Sequence, residues 1–138
     1  METSIIGEID KQLVIMVYTD DTGDIPYFHI IDKETSGNTF HSCVKIAQAQ
    51  YFHHTGKENV LDSTQQESLV KFLTSECDLG VSYWQFLLMT WNTNNANNKV
   101  NIDYNMPDYT SIENSWYCCG WWIDNNQNLW ESQRFCVY

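Results

Sequence analysis

The stretch "KQLVIMVYT" (residues 11–19) constrains the fold more than any other part of the chain. From Leu13 to Tyr18 it is apolar, largely β-branched and without alternation. A strand with one wet face alternates, so this one must be covered on both sides and predicts a central strand. "IIGEI" before it reads as a short edge strand, and "DDTGD" (20–24) after it as a turn cluster. "IPYFHII" (25–31) follows as another strand, with Pro26 near its start, where strands tolerate proline. The polar loop "DKETSGN" (32–38) leads into "TFHSCVKI" (39–46), which alternates like a half-buried strand. Sequential strands with short connections predict an antiparallel meander of three or four strands.

The apolar period then changes. Ser63 with Gln66 three residues on is a capping-box signal, followed by Leu69, Phe72 and Leu73 at helical spacing. A second helix starts near Ser82, with Gln85 three residues later. Its stripe is Trp84, Leu87, Leu88 and Trp91 at i, i+3, i+4 and i+7. "NTNNANN" (92–98) ends it, because asparagine prefers caps and turns to helix interiors. "NMPDYT" (105–110) is loop. The tail carries two aromatic runs around "DNNQN", which reads as a hairpin with Ile123 facing Leu129 and Trp122 facing Trp130. The expected architecture is α+β: an antiparallel three- to four-stranded sheet, two helices on one face, and a C-terminal aromatic β-hairpin. Residues 1–111 form the core and 112–138 a Trp/Cys-rich hairpin packed on it, a single domain overall.

Length fits that reading, since 138 residues bury one sizeable core. At 43% apolar and 14% aromatic, the chain is too rich in core formers to stay disordered. Charge disfavours one class of function. Acidic residues number 18 against 7 basic, a net −11, and Arg134 is the sole arginine. A nucleic-acid surface needs Lys and Arg to displace counterions, so direct nucleic-acid binding is disfavoured. The acidic field favours a basic partner or serves solubility. "METSIIGEIDKQ" has no basic n-region, and Glu8 and Asp10 interrupt its apolar run, unlike a signal peptide. The apolar runs are far too short to span a membrane. Five cysteines (Cys43, Cys77, Cys118, Cys119, Cys136) with no C-x-x-C spacing read as free thiols, so a reducing, cytoplasmic setting is expected.

The residues with the most chemical interest are His29 and His41. If the two strands pair symmetrically across their loop, with Ile31 opposite Thr39, His29 lies opposite His41 and Tyr27 opposite Cys43. All four side chains then share a face, because strand side chains alternate. Cβ atoms roughly 5 Å apart would let two imidazoles hold one metal ion or one water. His29, His41 and Cys43 are zinc ligand types, and Asp24 or Asp32 are further candidates. The competing reading is two polar residues on the solvent side of a meander. His53 and His54 are neighbours pointing different ways, more a loop or helix-end feature than a chelate.

Other motifs fail. "DDTGD" lacks the glycine and distal glutamate of a calcium loop. "HHTGKEN" (53–59) lacks the first glycine and the Ser/Thr of a phosphate loop. No G-x-S-x-G elbow is present. Cys43 beside a histidine has nothing in sequence to orient it as a nucleophile, and vicinal Cys118–Cys119 read as packing.

The pieces "P-x-F-H-I", "TFHSCVKI…YFHH", "L-x-S…LVKFL", "YWQFLLMTWNTNN" and "MPDYT", over residues of about 30–109, carry a resemblance. This part resembles short, uncharacterised bacterial proteins often found in mobile elements. Its His-bearing strand is similar to small domains that occur beside toxin–antitoxin genes. The resemblance implies no activity. The segment from Ile112 onward falls outside it.

Two functional expectations follow. The first is an acidic cytoplasmic protein-interaction module: a stoichiometric inhibitor, anti-defence or antitoxin-like factor of a phage or mobile element. It would bind a basic protein, such as a nucleic-acid-binding defence protein. Its partner-binding residues would be Trp116, Tyr117, Trp121, Trp122, Trp130 and Phe135, since Trp and Tyr dominate interface hot spots. The alternative for the same aromatic segment is cover within the chain or by a second copy of it. The second expectation is a small metal-dependent enzyme centred on His29 and His41, with zinc as the cofactor. The first reading needs no cofactor.

Overall fold

The computed structural model describes residues 3–18, 25–53 and 58–114, and the backbone of 121–123 and 129–131. Four strands, β1 (Thr3–Ile9), β2 (Leu13–Tyr18), β3 (Tyr27–Asp32) and β4 (His41–Lys45), form one sheet in chain order, each antiparallel to its neighbour. Two helices follow, α1 (Ser63–Leu73) and α2 (Tyr83–Asn94), then a short 3-10 turn at Tyr109–Ser111. The fold is α+β, as the change of period predicts.

β2 is buried along its length up to Tyr18 and splits its side chains between two layers. Ile15 and Val17 join Phe28, Ile30 and Val44 beneath both helices, with Leu69 and Leu73 of α1 and Trp84, Leu87, Leu88 and Trp91 of α2. Val14 and Met16 face the other way, with Ile31 and Tyr18, in a second apolar layer. That division is why the run shows no alternation.

Local chemistry sets the helix ends. Ser82 caps α2, its hydroxyl accepting from the Gln85 amide at 3.1 Å. At the other end the Asn94 and Asn95 side chains donate to the Val17 and Tyr18 carbonyls, tying the helix to β2. The indoles of Trp84 and Trp91 donate to the Tyr104 and Asn98 carbonyls, so neither buried N–H is orphaned. The capping box of α1 lies one residue earlier than Ser63 and Gln66 suggest. Asp62 accepts from the Gln65 amide at 2.8 Å, and the Gln65 side chain accepts from the Asp62 amide at 2.9 Å. Gln66 is used elsewhere, donating to the Leu61 carbonyl and accepting from the Ile112 amide.

Gly7 is required by a close approach. A Cβ there would sit 2.2 Å from Phe72 Cζ, and that ring is stacked on Tyr83 with centroids 4.1 Å apart. Beyond the 3-10 turn, Glu113 bridges Gln50, so the chain at 113 is still attached to the segment after β4. A separate two-stranded antiparallel ladder joins β5 (Trp121–Ile123) to β6 (Leu129–Glu131), pairing Trp122 with Trp130. Trp116, Tyr117 and Phe135, and the side chains of Trp121, Trp122 and Trp130, lie outside the described residues. Among the described residues no helix is long and apolar enough to cross a membrane.

Candidate metal centre

Alternation along β3 and β4 places Tyr27, His29 and Ile31 on one face with His41, Cys43 and Lys45, opposite the helices. The register differs from the symmetric one. His29 pairs with Cys43, Ile31 with His41 and Tyr27 with Lys45. The Asp32 amide donates to the Phe40 carbonyl at 3.1 Å, closing the hairpin at that pair. The Asp32 carboxylate accepts from the Glu34 and Thr35 amides at 2.9 and 3.2 Å, folding the loop on itself. Pairing is thus shifted by two residues, which preserves the face while changing the partner.

Three donor atoms converge as a result. His29 Nδ1 lies 2.9 Å from His41 Nε2, and Cys43 Sγ lies 3.5 Å from each nitrogen. His29 is 2% exposed, Cys43 is fully buried and His41 is half-buried, so the cluster opens toward solvent on the His41 side. Tyr18 stacks on the His29 ring with centroids 4.0 Å apart, Tyr27 leans on it at 5.0 Å, and Phe52 packs with Tyr27 and Cys43. β4 is held from outside. The His41 amide donates to Asn59 Oδ1 at 2.9 Å, the Asn59 amide donates back to the His41 carbonyl at 2.7 Å, and the Phe52 amide donates to the Cys43 carbonyl.

The distances can be compared with a zinc ion's requirements. Tetrahedral zinc with bonds of about 2.0–2.1 Å to nitrogen and 2.3 Å to sulfur sets N–S edges of roughly 3.5 Å and an N–N edge of roughly 3.3 Å. Both sulfur–nitrogen distances meet this at 3.5 Å. The two nitrogens stand at hydrogen-bond distance and need to part by a few tenths of an ångström. With no ion, one imidazole donates N–H to the other.

Of the other sequence candidates, Asp32 is committed to its own loop, and Asp24 and His54 lie outside the described residues. His53 stays apart. Its Nε2 contacts Asn114 Oδ1 and its Nδ1 lies 4.0 Å from Glu58 Oε1, a buried grouping that the sequence does not announce. Among the described residues, His29, His41 and Cys43 are the one group of three or more His, Cys, Asp or Glu placed to hold an ion. Lys45, at the end of the same strand face, is fully buried with its ammonium donating to Gln50 Oε1; no sequence signal marks it. Compared with family models, curated proteins and solved structures, the chain matches none.

Proposed function

We propose that this protein is a zinc-binding domain that works as a small metal-dependent enzyme, its ion held by His29 Nδ1, His41 Nε2 and Cys43 Sγ. The observation that carries the reading is the sulfur equidistant, at 3.5 Å, from two imidazole nitrogens that already face each other. Two hydrogen-bonded histidines alone are an ordinary polar pair; the third, soft donor turns them into a chelate. A buried thiolate is costly to leave uncompensated, and a divalent cation offsets that cost. Three protein donors are the number found in catalytic zinc sites, where the fourth position holds a water whose pKa the zinc would lower to about 7. The half-buried His41 side is the route to that position. The test is metal analysis of tag-free protein, beside His29→Ala and Cys43→Ser. One zinc per chain, lost in both variants, supports the reading. Protein that carries no zinc and takes up none on addition overturns it.

A second reading, favoured by the net charge of −11, is an acidic inhibitor of a basic protein, with the C-terminal segment as an aromatic hairpin that carries the partner surface. Truncation after Asn114 tests it. Loss of a defined partner from a still-folded chain supports it, and outright unfolding counts against it.

A further inference from the structure

The sheet edge farthest from the metal centre has a second feature. β1 is an edge strand, and among the described residues no strand pairs with its outer side. It is seven residues long, and its single charge, Glu8, is paired with Lys33 at 2.9 Å. Proteins commonly blunt such edges with lysine or proline, and β1 has neither. It has instead an irregularity between Ile5 and Gly7, where the extra residue, Ile6, turns into the core.

Ile6 also lines a cavity of about 330 Å³, with Cys77, Asp78, Leu79, Tyr83 and Phe86. That volume is at the lower end of ligand sites, about 300–1,000 Å³. Its rim is ordered. In the α1–α2 connection the Cys77 amide donates to the Val81 carbonyl, the Gly80 amide donates to the Cys77 carbonyl, and Glu76 bridges Ser82. Gly80, at φ +80°, makes the turn possible and leaves Leu79 at its tip, 64% exposed. Ile5 on the adjoining strand is 62% exposed. The back wall is closely packed: Tyr83 stacks on Phe72, which lies against Gly7. Among the described residues Asp78 is the only charged one in the lining, and Glu76 lies two residues before it.

We infer that the outer edge of β1 and this cavity together dock an extended, basic segment of a partner protein. The segment's backbone pairs with β1, one of its apolar side chains fills the cavity beside Leu79, and its flanking lysines or arginines meet Asp78 and the acidic field. Strand addition supplies affinity through main-chain hydrogen bonds, and a side-chain pocket supplies selection. Charge names the occupant: among the described residues the lining has one carboxylate and no cation, on a chain of net −11. The site is independent of the zinc reading, which concerns the opposite edge and face.

The experiment is amide-resonance mapping of the full chain, titrated with a synthetic Lys-Val-Lys-Leu-Lys-Val-Lys peptide, its Glu-for-Lys counterpart and a backbone N-methylated version. The expected result is saturable shifts at β1, residues 77–79, Tyr83 and Phe86 with the basic peptide alone. Leu79→Ser and Asp78→Asn, both outside the core, should each weaken binding by about tenfold, the equivalent of one lost side-chain contact. No shifts, shifts mapped to other residues, equal binding of the acidic or N-methylated peptide, or binding indifferent to both variants overturns the proposal. Concentration-dependent shifts at β1 without peptide assign the edge to a second copy and overturn it as well.

Discussion

His29 and Cys43 face each other across the β3–β4 ladder, Nδ1 3.5 Å from Sγ, and His41 Nε2 is 3.5 Å from the same sulfur. The two nitrogens stand 2.9 Å apart, so the three atoms close a triangle in which the thiol is the one soft donor. Removing it should cost more than removing a supporting residue.

Cys43→Ser is expected to weaken zinc binding well beyond the 10–100-fold, or about 1.4–2.7 kcal/mol, typical of losing an outer-shell partner. Competition with a chromophoric chelator measures it. Cobalt-loaded protein should show a thiolate charge-transfer band that the variant lacks. An unchanged affinity and band would remove Cys43 from the ligand set.

Outer support predicts a smaller effect. Asn59→Ala removes the side-chain acceptor of the His41 amide, at 2.9 Å, without touching a donor atom. Zinc affinity should fall by about tenfold, within the range for positioning groups. The same titration checks it, and a loss as large as that of Cys43→Ser would show Asn59 to be more than a support.

Tyr109 predicts a pH dependence. Burial pushes its hydroxyl well above the usual tyrosine range, and Tyr51 is raised too, by burial first, against an opposing hydrogen bond with Leu61. Above pH 10 the unfolded chain releases these protons and the folded chain keeps them. Protons bound in the unfolded state are then fewer, so stability falls as pH rises. For Tyr109 the slope is about 1.4 kcal/mol per pH unit while only the unfolded form ionises, and Tyr51 adds in the same direction. Denaturant midpoints at pH 9, 10 and 11 check the direction. The Tyr109→Phe variant should lose part of the slope, along with the hydroxyl's bonds to the Lys45 and Ile46 carbonyls.

Gly7→Ala should destabilise by about 1–3 kcal/mol, the usual cost of overpacking. Its methyl would meet Phe72 Cζ at 2.2 Å. Adding Phe72→Leu should recover part of the loss, because the two sites share one contact. A double variant no better than the sum of the singles would contradict the packing account.

Helix α1 offers a choice between neighbours. Asp62→Ala should cost about 1 kcal/mol as loss of an N-cap, while Ser63→Ala, at the first helical position, should be nearly neutral. Thermal or denaturant unfolding decides between them, and the reverse order would restore the capping box to Ser63 and Gln66.

Sequence alone determined what depends on neighbours within a turn or two. The unbroken run from Leu13 to Tyr18 demanded two covered faces, and it has them. The stripe Trp84, Leu87, Leu88, Trp91 and the Ser82 cap follow from the 3.6-residue period and an unsatisfied amide. His29, His41 and Cys43 share a face because strand alternation survives a two-residue change of register. Which of them meet was beyond the sequence, since the Asp32 turn closes the loop at Phe40 and sets Cys43, rather than His41, opposite His29. Tertiary structure likewise decided the Tyr18 stack, the Asn59 clasp, the burial of Lys45 and the cavity beside Ile6. Each joins residues that no local period relates, through backbone pairing and packing between segments far apart in the chain.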